Sequence, residues 1–168
     1  MIQVVRGDLA RAEAECVLRP VRADGAAVTA ASRRVEAGAG ARVADRVAAQ
    51  GDSPVGTAFI TPAGELSTAF LVHVVVQSVD EPVSTPSVQR GLLNALRRAA
   101  DFGIASMALP PLGGGAGSLD AEEKARVVVE VLLNHVAEGQ PPLEFQIVVE
   151  SEYEESVFRS LVSAAPRE

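Results

Sequence analysis

Tryptophan is absent from this chain, cysteine and tyrosine occur once each, and aromatic residues make up only 4% of it. The lone cysteine, Cys16, excludes an intrachain disulfide and suits a reducing compartment. Cys16, His73 and His135 share no metal-ligand spacing, so neither a metal site nor a cofactor is expected. Lysine is nearly missing too: Lys124 stands alone among arginines. The 15 basic residues are outnumbered by 22 acidic ones, a net charge of −7, which argues against general nucleic-acid binding. A local pocket for a small anion remains compatible with that balance. Long apolar runs are missing as well. "FLV" and "VVV", on either side of His73, are far too short to span a bilayer, so no membrane association is expected. The opening "MIQVVRGD" lacks the basic stretch and apolar core of a secretory signal, and a cytoplasmic location is the expectation.

What is present is a core-forming chain. Hydrophobic residues make up 48% of 168 positions, enough for one domain with a real interior. Apolar runs bounded by glycine, proline and polar turns predict strands at 2–6, 16–21, 56–61, 69–77, 105–110 and 143–150. Pro20 is expected to limit the second of these. Helices are predicted at 28–37, 41–49, 86–102, 120–137 and 152–163. Gly38 and Gly40 break the first two, and Leu92, Leu93, Leu96, Ala99 and Ala100 form the buried stripe of the third. The third and fourth strands read as an antiparallel hairpin. Strands alternating with helices imply a mixed sheet between helical layers, with ligands beyond the carboxyl ends of the strands. Gly7-Asp8, the 19–22 segment and a glycine loop all fall at such ends.

That loop is "LPPLGGGAGSLDAEEKA", from Leu109 to Ala125. Glycines uncover amide groups and permit left-handed backbone, so successive N–H groups can converge on an anion. The loop lacks the Gly-Lys-Ser/Thr of a P-loop, and it lies too late in the chain for a dinucleotide fingerprint. A tight strand-to-helix turn without ligand explains a glycine run equally well. Asp120 and Glu123 have capping-box spacing, yet Asp120, Glu122 and Glu123 oppose the helix dipole's attraction for phosphate.

Taken together, "VVRGDLARAEAECVL", the "LVH" strand, the glycine loop and "IVVESEYEESVF" resemble the macro domain family, whose fold binds ADP-ribose. The resemblance covers nearly the whole chain. It implies a three-layer α/β/α fold with a six-stranded mixed sheet, as a single macro-like domain over 1–168. It implies that Asp8, in Gly7-Asp8-Leu9, accepts a hydrogen bond from the adenine amino group. Leu112, Gly113, Gly114, Gly115, Ala116 and Gly117 would wrap the diphosphate, and Val149 would take the place of an aromatic that stacks on adenine. His73 matches a structural strand histidine.

The departures are equally specific. The family's first loop begins "NAAN"; this chain has Arg19, Pro20, Val21 and Arg22 there, and no asparagine before Asn94. Arg19 and Arg22 read either as solvated, salt-bridged side chains or as charge-assisted phosphate contacts. Lysine or aspartate in the loops, the catalytic options of related hydrolases, has no counterpart: Lys124 falls in the following helix and Asp120 reads as a cap. Asp24 is the nearby carboxylate in the first loop. The expected function is therefore binding of ADP-ribose or a related nucleotide without efficient catalysis, with no catalytic residue assigned. Alternatives are a degenerate fold with a structural or interaction role, and an ADP-ribosyl hydrolase with a relocated base. A homo-oligomer stays open.

Overall fold

The protein is described by a computed structural model, covering residues 1–114 and 117–165. Its strands are β1 (Ile2–Arg6), β2 (Cys16–Arg22), β3 (Ala58–Pro62), β4 (Phe70–Gln77), β5 (Ser106–Leu109) and β6 (Glu144–Val149). Its helices are α1 (Ala30–Ala39), α2 (Ala41–Ala49), α3 (Thr85–Asp101), α4 (Ala121–Ala137) and α5 (Glu152–Ser163). The strands form one six-stranded sheet in the order β1-β6-β5-β2-β4-β3. All neighbours run parallel except β3, which pairs antiparallel with β4 as the hairpin reading expects.

Period-two alternation divides the sheet's side chains between two apolar layers. On one face Leu18, Val72, Val74, Phe145, Ile147 and Val149 join Val88, Leu92, Leu96, Val128, Leu132 and Phe158 from α3, α4 and α5. On the other, Val17, Leu71, Ala108 and Val148 meet Val35, Val43 and Val47 from α1 and α2. The result is the three-layer α/β/α architecture. In α3 the buried stripe shifts from the sequence reading: Leu92, Ala95, Leu96 and Ala99 are buried, while Leu93 is 37% exposed. The break between α1 and α2 is Gly40, at φ +93°, where a side chain would be strained; Gly38 lies inside α1. Among the described residues, no helix is long and apolar enough to cross a membrane.

Pro20 does not end β2, which continues to Arg22. β2 pairs with β5 only through Cys16 and Val17, so at Pro20 it has β4 as its one neighbour. An edge position tolerates the missing N–H. Beyond Val17 the sheet therefore parts between β2 and β5, and that gap opens at its carboxyl edge.

Arg19 does not rim the cleft, as the sequence reading allowed; it is 1% exposed, beneath α1. Alternation places it on the same face as Val17, pointing into the protein. Its Nε donates to His73 Nδ1 at 2.9 Å. Its Nη1 donates to Glu36 Oε2 at 3.2 Å and to Ser32 Oγ at 3.4 Å. Arginine only donates, so His73 must accept at Nδ1 and carry its proton on Nε2. That proton faces Thr61 Oγ1 at 2.8 Å, and the threonine hydroxyl donates onward to the Pro62 carbonyl at 3.0 Å. Phe59 stacks on the His73 ring, with centroids 4.7 Å apart. The structural role expected for His73 is the one it has.

Burial, and secondly the adjacent Arg19 cation, push the His73 imidazole down to about 3. An unfolded histidine titrates near 6.5. Above that pH both states are neutral, and stability does not depend on this group. Between about pH 6.5 and 3 the unfolded chain takes up a proton that the native state refuses. Stability is thus lost as pH falls through that window, by up to about 1.4 kcal/mol per pH unit. Urea unfolding from pH 7.5 to 4.5 should show this slope, reduced in His73→Gln. In NMR, the His73 ring should remain neutral down to pH 4.5; a ring that titrates near 6.5 would contradict the assignment.

Candidate functional site

The parallel strands β1, β6, β5, β2 and β4 end on one edge, and the segments leaving them build a cleft there. Thr29, Ala30 and Ala31 from the start of α1 form one wall, with Pro110, Pro111 and Gly114 after β5 opposite. Lys124 from α4, Val148 and Glu150 from the end of β6, and Glu154 from α5 complete the lining. Larger depressions exist elsewhere, one of about 280 Å³ at the amino edge of the sheet and one of about 650 Å³ beside α4 and α5. Neither combines a helix N-terminus, a cation and a glycine.

Thr29 caps α1, its Oγ1 accepting from Ser32 N at 3.2 Å. The first N–H groups of any helix lack intrahelical acceptors, and here Ala30 and Ala31 carry them into the cleft. No acidic residue stands in the first turn of α1, so nothing within the helix itself opposes its positive dipole end. α4 differs: Asp120 caps it through Glu123 N at 2.8 Å, and Glu122 and Glu123 occupy its first turn. The capping expected of Asp120 and Glu123 is present on the Asp120 side. An anion would therefore be drawn to α1 rather than α4.

Of the glycine loop, Gly113, Gly114 and Gly117 are among the described residues. Gly113 has φ +109°, and a Cβ there would meet Leu119 Cδ1 at 2.9 Å and Lys124 Cγ at 3.1 Å. Gly114 faces Thr29 across the cleft: an added Cβ would lie 3.2 Å from Thr29 Cγ2. Gly117, at φ +71°, sits beside Pro82. Gly115 and Ala116 lie outside the described residues. Leu112, Leu9 and Val149 are fully buried core residues, so their side chains present nothing to a ligand. The expectation that Val149 lies against a base is corrected by alternation, which points it with Phe145 and Ile147 toward α3–α5.

Asp8 stands at the edge of the cleft, past the end of β1. Its Oδ1 accepts from Ala10 N at 3.0 Å, capping a short 3-10 turn, and from Arg34 Nε at 3.3 Å. Arg34 also pairs with Glu150. Arg22 forms a two-pronged pair with Asp24, at 3.1 and 2.6 Å, inside a turn that Gly25 closes at φ +87°. Asp24 also accepts from Ala26 N at 3.0 Å. Bonding to Arg22, then to the Ala26 amide, holds the Asp24 carboxyl below its ordinary range. Such a group is a weaker base than a free aspartate. Lys124, dismissed on sequence because it lies in a helix, reaches the cleft and pairs with Glu154 at 3.3 Å. Thr29, Arg34, Glu150 and Glu154 were likewise not singled out.

The family model that describes the Macro domain matches residues 15–128. This chain belongs to the macro domain family. An uncharacterised protein of Aeropyrum pernix is 31% identical over 129 residues, which is 75% of this chain and 67% of that protein. An O-acetyl-ADP-ribose deacetylase of Shigella flexneri is 27% identical over 171 residues, covering 96% and 95% of the two. Among solved structures, the Oceanobacillus iheyensis macrodomain with ADP aligns with a TM-score of 0.79 at 17% identity, over 95% of this chain and 88% of that one. The Trypanosoma brucei macrodomain in complex with ADP aligns at 0.84 and 13% identity, over 96% and 68%. At such identities these structures speak to the fold, which is the macro domain fold. Its cleft here is lined by a threonine-capped helix start, a glycine and one lysine.

Gly114→Val tests whether the cleft is a working site. The residue has no left-handed backbone requirement, so the fold should survive with a melting temperature within a few degrees. The added methyls crowd Thr29 and should weaken any cleft ligand at least tenfold, read by calorimetric titration.

Proposed function

We propose that the cleft binds ADP-ribose or a related adenine diphosphate nucleotide, and does so without efficient catalysis. The observation that carries this reading is the convergence, on one sheet edge, of the α1 N-terminus, the Gly113–Gly114 segment and Lys124. Amide donors at a helix start plus one ammonium suit a diphosphate. Asp8 suits a base amino group in this reading: its Oδ1 is engaged, and a carboxylate has a second oxygen to offer. The solved relatives hold ADP, which supports the same ligand class.

Binding should be weak. Lys124 is already paired with Glu154, so phosphate competes with a carboxylate for it. Arg22 is satisfied by Asp24, and Arg19 is buried. A phosphate would have to displace Asp24 to engage Arg22, and it cannot reach Arg19. Turnover needs a group that accepts a proton near the distal ribose. Asp24, held by Arg22 and the Ala26 amide, is poorly suited to that role.

A second reading, hydrolysis, is favoured by the likeness to the Shigella flexneri deacetylase and by two carboxylates, Glu150 and Glu154, that line the cleft. Two assays test these readings, and the second separates them. Calorimetric titration with ADP-ribose should give a dissociation constant in the micromolar range or weaker, about −8 kcal/mol. Incubation with O-acetyl-ADP-ribose and mono-ADP-ribosylated protein should release no more ADP-ribose than the Asp24→Ala, Glu150→Gln and Glu154→Gln variants do. Multiple turnover lost in one of those variants would make the protein an enzyme and name its base.

A further inference from the structure

Arg34 stands at the β1–β6 end of the cleft rim, and it is held from two sides, whereas Arg6 at the end of β1 turns to Glu155 on α5. The Arg34 Nε donates to Asp8 Oδ1 at 3.3 Å, and its Nη2 pairs with the Glu150 carboxylate. Asp8 leaves β1 and Glu150 leaves β6, adjacent parallel strands, while Arg34 projects from α1. Glu150 lines the cleft, as does Ala31, which stands one helical turn before Arg34. The guanidinium thus closes the rim over the ends of two strands.

Guanidinium N–H bonds lie in the plane of the group, so both carboxylates must engage it edge-on. Neither covers its flat faces, and the side chain is 41% exposed. Two ionic partners fix the plane's orientation. This matters because no aromatic side chain lines the cleft among the described residues. Phe59 is spent on His73, Phe145 and Phe158 are buried, and Val149 points into the core.

We propose that Arg34 is a specificity-determining residue: its guanidinium, fixed edge-on by Asp8 and Glu150, is the platform on which the ligand's nucleobase stacks. Guanidinium planes stack on aromatic rings, and a planar, delocalised, weakly hydrated cation does so better than an ammonium. The nucleobase then lies flat on Arg34, within reach of the free oxygen of Asp8. Electrostatics favours the same arrangement. Arg34 offsets two carboxylates that would otherwise repel the diphosphate further along the ligand. This proposal rests on the nucleotide reading above and extends it to the base.

The test compares wild type with Arg34→Ala and Arg34→Lys, each titrated with ADP-ribose and with ribose 5-phosphate and followed by NMR shifts of backbone amides. Ribose 5-phosphate carries the phosphate but no base. The expected result is that both substitutions weaken ADP-ribose about tenfold, while ribose 5-phosphate changes less than twofold. Arg34→Lys keeps the charge but loses the plane. If it binds ADP-ribose as wild type does, charge alone matters and the platform is overturned. Equal weakening of both ligands would make Arg34 a support for α1, which also overturns it. Equal ADP-ribose affinity in all three proteins sinks the platform and spares the nucleotide reading. A wild type that binds neither ligand sinks both.

Discussion

A guanidinium placed in a protein interior must find partners there, and Arg19 sets the terms for this half of the molecule. Burial disfavours its charge, and Glu36 opposes that effect both through its field and by a hydrogen bond. Taking a charge out of water is expensive unless geometry and hydrogen bonds compensate. Here the compensation comes from three elements at once: His73 on β4, and Ser32 and Glu36 on α1, with Thr61 on β3 completing the histidine. Glu36 is half-exposed, so one end of the pair stays solvated and the full cost of a buried pair is avoided. Removing the arginine would leave the buried His73 nitrogen without a donor, at about 1–3 kcal/mol.

The consequence reaches the cleft. Ser32 accepts from Arg19, donates to the Pro20 carbonyl at 2.8 Å, and gives its own N–H to the Thr29 cap. One serine therefore joins the buried cation, the β2 backbone at Pro20 and the first turn of α1. The helix start that faces the cleft is positioned by a charge it never exposes. This also explains how the first loop dispenses with asparagine. Arg22, Asp24 and Gly25 close a self-contained turn, in which Arg22 N donates to the Ala26 carbonyl and Gly25 N to the Arg22 carbonyl, both at 2.8 Å. The loop's polar groups are thus engaged within the turn and by β4, and the groups that line the cleft come from α1, Gly114 and the ends of β5 and β6, with Lys124 and Glu154.

Most of the fold was legible because hydrophobic period and turn residues dictate it. β1, α2 and α5 coincide with their predicted bounds, and the parallel sheet follows from the alternation of elements. Pro20 misled because its effect depends on which neighbours β2 has at that height, and pairing range is a tertiary fact. Arg19 misled for a related reason. An arginine within "CVLRPV" reads as a strand end only if the strand stops; with β2 running on, alternation sends it inward. The usable signal was His73 in an otherwise apolar strand, since a buried imidazole needs a donor or acceptor on each nitrogen. The cleft's helical residues were illegible by spacing. Lys124 and Arg34 act through side-chain reach, from α4 and α1 to groups on α5, β1 and β6.

The cleft that results is nearly balanced in charge. Lys124 and Arg34 face Glu154, Glu150 and Asp8, so no strong field draws an anion in from a distance. The Lys124–Glu154 pair has a single partner on each side, contributes little to stability and is easily rearranged, whereas Arg34 is held by two carboxylates at once. A diphosphate entering the cleft would exchange a carboxylate partner for a phosphate one, and the net gain is only the difference between them. What remains is the start of α1, whose amides have no competing acid in the first turn. Under the proposed nucleotide reading, affinity would rest on fixed backbone dipoles more than on side-chain charge, and backbone dipoles are held by packing. That returns the binding question to the buried Arg19 network, which decides where those amides point.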